Sequence, residues 1–97
     1  MSDNTYPSDE SLKLIREWPR DNFLGLMDFV RDIWNYPEWG FMITQEIDER
    51  VFELHTGGWS GNEEILSALQ ENTMFWAMSW ESSRRGGHYI LKVKVNT

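Results

Sequence analysis

The chain has 97 residues, with six tryptophans, five phenylalanines, three tyrosines, no cysteine and a net charge of −7. That length suits one domain with one core and little room for a deep enzyme cleft; its aromatic side chains, each burying roughly 150–250 Å², compensate for the small size. The missing cysteine excludes disulfides, Cys-type zinc sites and thiol nucleophiles, and the acidic balance argues against direct nucleic-acid binding, which needs cations to displace condensed counterions.

The charge is uneven. Residues 1–83 carry all sixteen acids, whereas Arg84, Arg85, Lys92 and Lys94 give residues 84–97 a charge of +4. The N-terminal segment is polar and acidic, unlike a signal peptide. No apolar run approaches the ~20 residues needed to cross a bilayer. The composition therefore predicts a soluble cytoplasmic protein without a membrane partner.

Residues 1–7 read as a flexible tail, and residues 8–97 as a single domain. Ser8 caps the first helix, with Asp9 and Glu10 in its first turn; Leu12, Ile15 and Trp18 follow at helical spacing and Pro19 stops it. Asp21 or Asn22 caps the second. Its apolar stripe is Phe23, Leu26, Met27, Val30, Ile33 and Trp34, and Tyr36-Pro37 ends it.

After Gly40 the period becomes two. Phe41, Ile43, Gln45 and Ile47 share one strand face, and Phe52 and Leu54 share a face of the next. A turn near Asp48-Glu49 sets Ile43 opposite Leu54 and Gln45 opposite Phe52. Gly57-Gly58 then breaks the strand, and Ser60-Gly61-Asn62-Glu63 reads as a capping box for a third helix ending near Asn72, with Ile65, Leu66 and Leu69 buried. The alternation of Met74, Trp76, Met78 and Trp80 predicts a third strand over 73–81. His88–Val95 forms the fourth, with Trp80 opposite Tyr89, Met78 opposite Leu91 and Trp76 opposite Val93.

The order α-α-β-β-α-β-β describes an α+β fold: one four-stranded antiparallel sheet with helices packed on one face. The other face would carry Met42, Thr44, Val51, Glu53, His55, Phe75, Ala77, Ser79, Glu81, His88, Ile90, Lys92 and Lys94. It is too apolar to be plainly a solvent face, so it suits a partner or self-association.

Two turns offer candidate contacts. Before the third helix lie Trp59, Ser60 and Asn62; phosphate binding there is disfavoured by the lack of a P-loop lysine and by Glu63 and Glu64 in the first turn. The Ser82–His88 loop is the better anion candidate. Arg84 and Arg85 supply two guanidinium forks, Ser82 and Ser83 supply hydroxyls, and Trp80 and Tyr89 at its base offer an aromatic wall. His88 is expected to pair with Glu81 across the strands. His55 and Glu53 share its face, but their spacing matches no metal-ligand pattern, so no metal or cofactor is assigned. No Ser–His–acid context marks catalysis, and no catalytic residue is assigned.

The run from Gly57 to Ile90 (GGWSGNEEILSALQENTMFWAMSWESSRRGGHYI) resembles a segment that recurs in small hypothetical proteins of bacteriophages and prophages. The resemblance rests on Gly58-Trp59-Ser60-Gly61, the helix from Asn62, Phe75-Trp76 and Ser83–Tyr89. It implies a phage setting inside a host cell, for a family with no assigned activity. In that setting the leading expectation is a non-enzymatic accessory protein of the anti-defence kind, binding a host protein. Its expected contacts are Trp59, Arg84, Arg85 and His88, with the rims of the third helix and second hairpin. One alternative is a site for an anionic small molecule such as a nucleotide, between Trp59, Trp80 and the arginine loop. Another is an acidic nucleic-acid mimic using Asp21, Asp28, Asp32 and Glu38.

Overall fold

A computed structural model describes residues 6–95; most of the expected tail, positions 1–5, and the last two residues lie outside the described residues. Ser8 caps α1 (Asp9–Glu17) by accepting from Ser11 N–H at 3.0 Å. A short 3₁₀ turn at Arg20–Asn22 leads into α2 (Phe23–Ile33), where Asn22 is the cap, accepting from Gly25 N–H at 3.1 Å. The α2 stripe buries Phe23, Leu26, Met27 and Val30, while Asp28, Arg31 and Asp32 stay exposed. Helix α2 ends before Trp34, and Tyr36 turns the chain with a left-handed φ of 57°. Pro37 then opens a four-residue helix, α3 (Pro37–Gly40), which the sequence reading did not anticipate.

The remaining elements are β1 (Phe41–Gln45), β2 (Glu49–His55), α4 (Ser60–Glu71), α5 (Thr73–Ser79), β3 (Trp80–Arg84) and β4 (His88–Lys94). They give an α+β fold with one antiparallel sheet in the order β1-β2-β4-β3. Sequential hairpins therefore meet through β2 and β4, and β1 and β3 form the edges. The core joins Ile15, Leu26, Val30, Ile65, Leu69 and Phe75 of the helices to Phe41, Phe52, Leu54, Leu91 and Val93 of the sheet. All five of those strand residues point to one face, so the helices lie on that face and leave the other open.

The first hairpin is shifted by two residues from expectation: Phe41 faces Leu54, Ile43 faces Phe52 and Gln45 faces Arg50. A shift of two preserves which face each side chain occupies, so patterning alone does not decide it. The connecting residues do. Gln45 Nε2 donates to the carbonyls of Glu46 and Glu49, and its Oε1 accepts from Arg50 Nε at 2.9 Å. Ile47 consequently sits at the loop tip, fully exposed, rather than on the inner face.

The larger correction is at 73–81. Residues Thr73–Ser79 form a helix, and β3 begins only at Trp80. Asn72 sets the outcome. Its Oδ1 accepts from Phe75 N–H at 3.1 Å, while its Nδ2 donates to the carbonyls of Ile15 and Trp18 at the end of α1. Phe75 and Ser79, one turn apart, are the buried pair, and Phe75 packs edge-on against Phe23 at 5.0 Å. The alternating Met74, Met78 and Trp80 are all exposed. Phe75, Ala77 and Ser79 accordingly leave the sheet face assigned to them. Trp80 pairs with Leu91 rather than Tyr89, and an irregularity before Ser82 restores the pairing of Ser83 with Tyr89 and Arg84 with His88.

The β3–β4 turn spans Arg85-Gly86-Gly87, with positive φ at both glycines. Gly87 is pinned: its carbonyl accepts from Thr56 N–H at 3.0 Å, and a Cβ there would strike Thr56 Oγ1. At Gly86 an added Cβ would meet nothing within 4 Å. Gly87→Ala is therefore expected to cost at least about 2 kcal/mol, through backbone strain plus the clash, and Gly86→Ala about 1 kcal/mol from strain alone. Urea unfolding midpoints of the two variants check the order.

Candidate functional site

The open sheet face is organised in rows set by strand register. Gly40 at the end of α3, His55 of β2, His88 of β4 and Arg84 of β3 lie side by side: His55 faces His88, His88 faces Arg84, and Gly40 approaches the His55 carbonyl. At about 4.8 Å per strand, this row spans roughly 14 Å. The next row holds Met42, Glu53, Ile90 and Ser82.

Two imidazoles stand at the centre. The His55 and His88 rings stack with centroids 4.1 Å apart and planes 16° from parallel. Glu53, two residues before His55 on the same face, places Oε1 3.2 Å from His88 Nε2. The expected partner Glu81 instead reaches Lys92 Nζ at 3.4 Å, because the irregularity in β3 turns it toward Lys92. His55 has its pKa lowered, first by burial and then by the neighbouring His88, with Glu53 opposing. The ring is thereby biased toward its neutral form, in which a nitrogen lone pair is available.

An aromatic group flanks the histidines. The Trp39 ring meets His55 edge-on at 6.3 Å and Trp59 edge-on at 5.6 Å, and Tyr36 lies against Trp59 at 4.9 Å. Trp39 remains 58% exposed. Gly57, at φ 64°, is the residue that lets the chain turn under these rings, since a Cβ there would run into Trp59.

This group hangs on Asn62, which is wholly buried. Its Oδ1 accepts from Asn35 N–H at 2.8 Å and from Asn35 Nδ2 at 3.1 Å, and its Nδ2 donates to the carbonyls of Asn35 and Thr56. One side chain thus ties the α2–α3 turn, the end of β2 and the start of α4. The expected capping box is not formed. Helix α4 begins at Ser60 with Trp59 as its cap residue, Glu63 N–H bonds the Trp59 carbonyl, and Ser60 makes no capping bond. The start lies one residue earlier than a Ser60 cap requires, so the helix-ordering role passes to Asn62.

Of the residues singled out from sequence, the structure brings Trp59, His88 and Arg84 to one end of the open face. Ser82 lies one row away and Arg85 at the exposed turn tip. Ser60 is exposed beside Trp59, and Asn62 faces the interior, where it shapes the site without offering a contact. Trp80 is apart from the rest: it shares the inner face with Leu91, and its Nε1 donates to Ser83 Oγ at 2.7 Å. Leu91 and His88, the partners of Trp80 and Arg84, are three residues apart, or about 10 Å along β4. Trp59, Trp80 and the arginine loop therefore do not close around one ligand. The clefts that are present lie elsewhere; the largest, about 510 Å³, is lined by Arg20, Asn22, Phe23, Met78, Lys92 and Lys94.

Tyr36, Trp39, Glu53 and His55 are the site residues that sequence reasoning passed over as contacts. Their only sequence signal is alternation in β2, which places Glu53 and His55 together but says nothing of β4 beside them. No family model, curated protein or solved structure matches the chain.

If Asn62 holds the face together, Asn62→Ala should destabilise by about 2–4 kcal/mol, because it strands buried donors and acceptors on Asn35 and Thr56. Ser60→Ala, which removes an exposed hydroxyl, should change stability by less than about 0.5 kcal/mol. Equilibrium urea unfolding separates the two; equal effects would restore the capping-box reading.

Proposed function

We propose that this protein acts by binding, without catalysis, and that it docks an acidic segment of a partner protein across the open sheet face. The observation that carries this reading is the row from exposed Trp39 through His55 and His88 to Arg84, on the face that no helix covers. Trp39 and Met42 offer exposed apolar anchors at one end. Arg84 and the adjacent Arg85 offer cations at the other, and among the described residues neither is paired with a carboxylate. Tryptophan and arginine are the side chains that most often dominate binding energy at interfaces. A hairpin turn held by Gly87 against Thr56 presents the arginines from a fixed backbone, which lowers the ordering cost of binding.

The complementary partner surface is negative, with an apolar side chain roughly 14 Å from its carboxylates to reach Trp39. The phage setting implied by the Gly57–Ile90 resemblance makes a bacterial host protein the first place to look. An anionic small molecule fits less well, since Trp59 and Trp80 do not share a pocket with the arginines. The acidic-mimic reading is weakened by Arg31, which lies on the exposed side of α2 between Asp28 and Asp32.

Affinity purification from bacterial lysate, with mass spectrometric identification of what is retained, tests the reading. The double variant Arg84→Ala/Arg85→Ala and the single variant Trp39→Ala should each weaken the identified complex at least tenfold while leaving the melting temperature within a few degrees. Binding should also fall with added salt. A partner held equally well by all three proteins would place the interface elsewhere.

A further inference from the structure

The open face carries a second feature that needs no protein partner. We propose that Glu53, His55 and His88 form a binding site for a divalent transition-metal ion of the zinc class. One potential ligand atom from each, two imidazole nitrogens and a carboxylate oxygen, lies within 4.8 Å of the other two. Ligands around a tetrahedral zinc with bonds of about 2.0–2.2 Å stand about 3.4 Å apart. The Glu53 Oε1 to His88 Nε2 separation of 3.2 Å already meets that spacing. His55 needs only a side-chain rotation to bring its nitrogen to the same centre, because its Cα is fixed directly opposite that of His88.

Three further observations favour a built site over a chance meeting of surface side chains. All three residues are partly buried, so each has already given up part of its hydration. They project from β2 and β4, the two central strands, rather than from loops. Trp39 covers His55 on one flank, limiting access of bulk water to the centre.

The donor set selects the class of ion. Two imidazoles and one carboxylate suit zinc and its neighbours, whereas magnesium and calcium prefer all-oxygen sites. Three protein ligands leave one tetrahedral position for water. The carboxylate now accepts from or donates its lone pair to His88; on metal binding that hydrogen bond is exchanged for two bonds to the ion. The two stacked imidazoles, which repel when both are protonated, become neutral ligands of one cation.

The assignment is independent of the partner reading and stands or falls by direct metal titration. Full-length protein stripped with a chelator is titrated with zinc chloride at pH 7.5 by isothermal calorimetry, alongside magnesium and calcium chlorides. The expected result is one zinc per chain, bound at micromolar concentration or tighter, with no response to magnesium or calcium. His55→Gln and His88→Gln should each weaken zinc binding at least tenfold. Glu53→Gln keeps the shape and hydrogen-bonding capacity of the side chain, so it tests the ligand without risking the fold; it should weaken binding by a similar factor. Glu63→Gln/Glu64→Gln, which removes two exposed carboxylates from α4, should leave the affinity unchanged. Circular dichroism confirms that each variant is folded. Cobalt substituted for zinc should give the intense visible absorption of a tetrahedral site. Zinc binding that survives the Glu53 and histidine changes, binding lost equally in the α4 control, or no zinc binding at all would overturn the assignment.

Discussion

A buried asparagine does much of the organising in this small protein. Asn62 sits in the first turn of α4 with no exposed surface, yet its amide bonds the backbone on both sides of the fold, at Asn35 and at Thr56. Burying an amide is unfavourable unless its donors and acceptors are matched, so the arrangement admits few alternatives. Fixing Asn35 fixes the approach to Tyr36, which holds a left-handed backbone unusual for a residue with a side chain. That conformation lets the Tyr36 carbonyl accept from the N–H groups of Trp39 and Gly40, folding α3 back toward the sheet. Fixing Thr56 at the same time holds the end of β2, and Thr56 N–H holds Gly87. The aromatic group, the histidine pair and the arginine turn are all attached to points that Asn62 constrains directly or through one neighbour.

Asn72 repeats the device at the opposite end of α4. It caps α5 and ties the end of α1 to that start. The sequence contained this signal, since asparagine is among the preferred cap residues, but the alternation of Met74, Trp76, Met78 and Trp80 spoke for a strand. Side chains with a period of two are consistent with a strand only when one parity is buried. Here the opposite parity supplies Phe75 and Ser79, which are four apart and fit a helix turn. The conflict was decided by tertiary structure: Phe75 had Phe23 to pack against, and Asn72 had the carbonyls of α1 to satisfy. Neither partner is visible in a window of local sequence. Helices α1 and α2, whose caps and stripes are local, were legible with their boundaries nearly intact. So were the two edge-to-centre strand pairs and the α+β class.

The candidate site was legible in a different measure. Glycines and arginines announced the β3–β4 turn, and Trp59 stood out beside Gly57-Gly58. What could not be read was the neighbour of each strand. The order β1-β2-β4-β3 places His88 beside His55, although 33 positions separate them in the chain. Pairing within a hairpin is implied by its turn; pairing between hairpins depends on which edges meet. Expecting His88 to bond Glu81 was a within-hairpin inference, and Glu53 lies in the other hairpin. The histidine pair, its carboxylate and the covering Trp39 are therefore products of topology more than of motif.

That topology also explains why chemistry gathers on the open face. The helices bury the inner side chains of β2 and β4, and this packing supplies the rigidity of both central strands. The outer side chains inherit fixed Cα positions without having to contribute to the core, so polar and titratable groups are tolerated there. A similar division holds at the β3–β4 turn. Its backbone is held by the Thr56–Gly87 hydrogen bond, while Arg84 and Arg85 remain exposed and without carboxylate partners among the described residues. A solvated loop with no role has no need of a glycine that a neighbouring threonine forbids from carrying a side chain. Close packing beneath the turn and free cations above it are what a presented contact requires: the position is paid for by the fold, and the guanidinium groups keep their hydrogen-bonding capacity for something else.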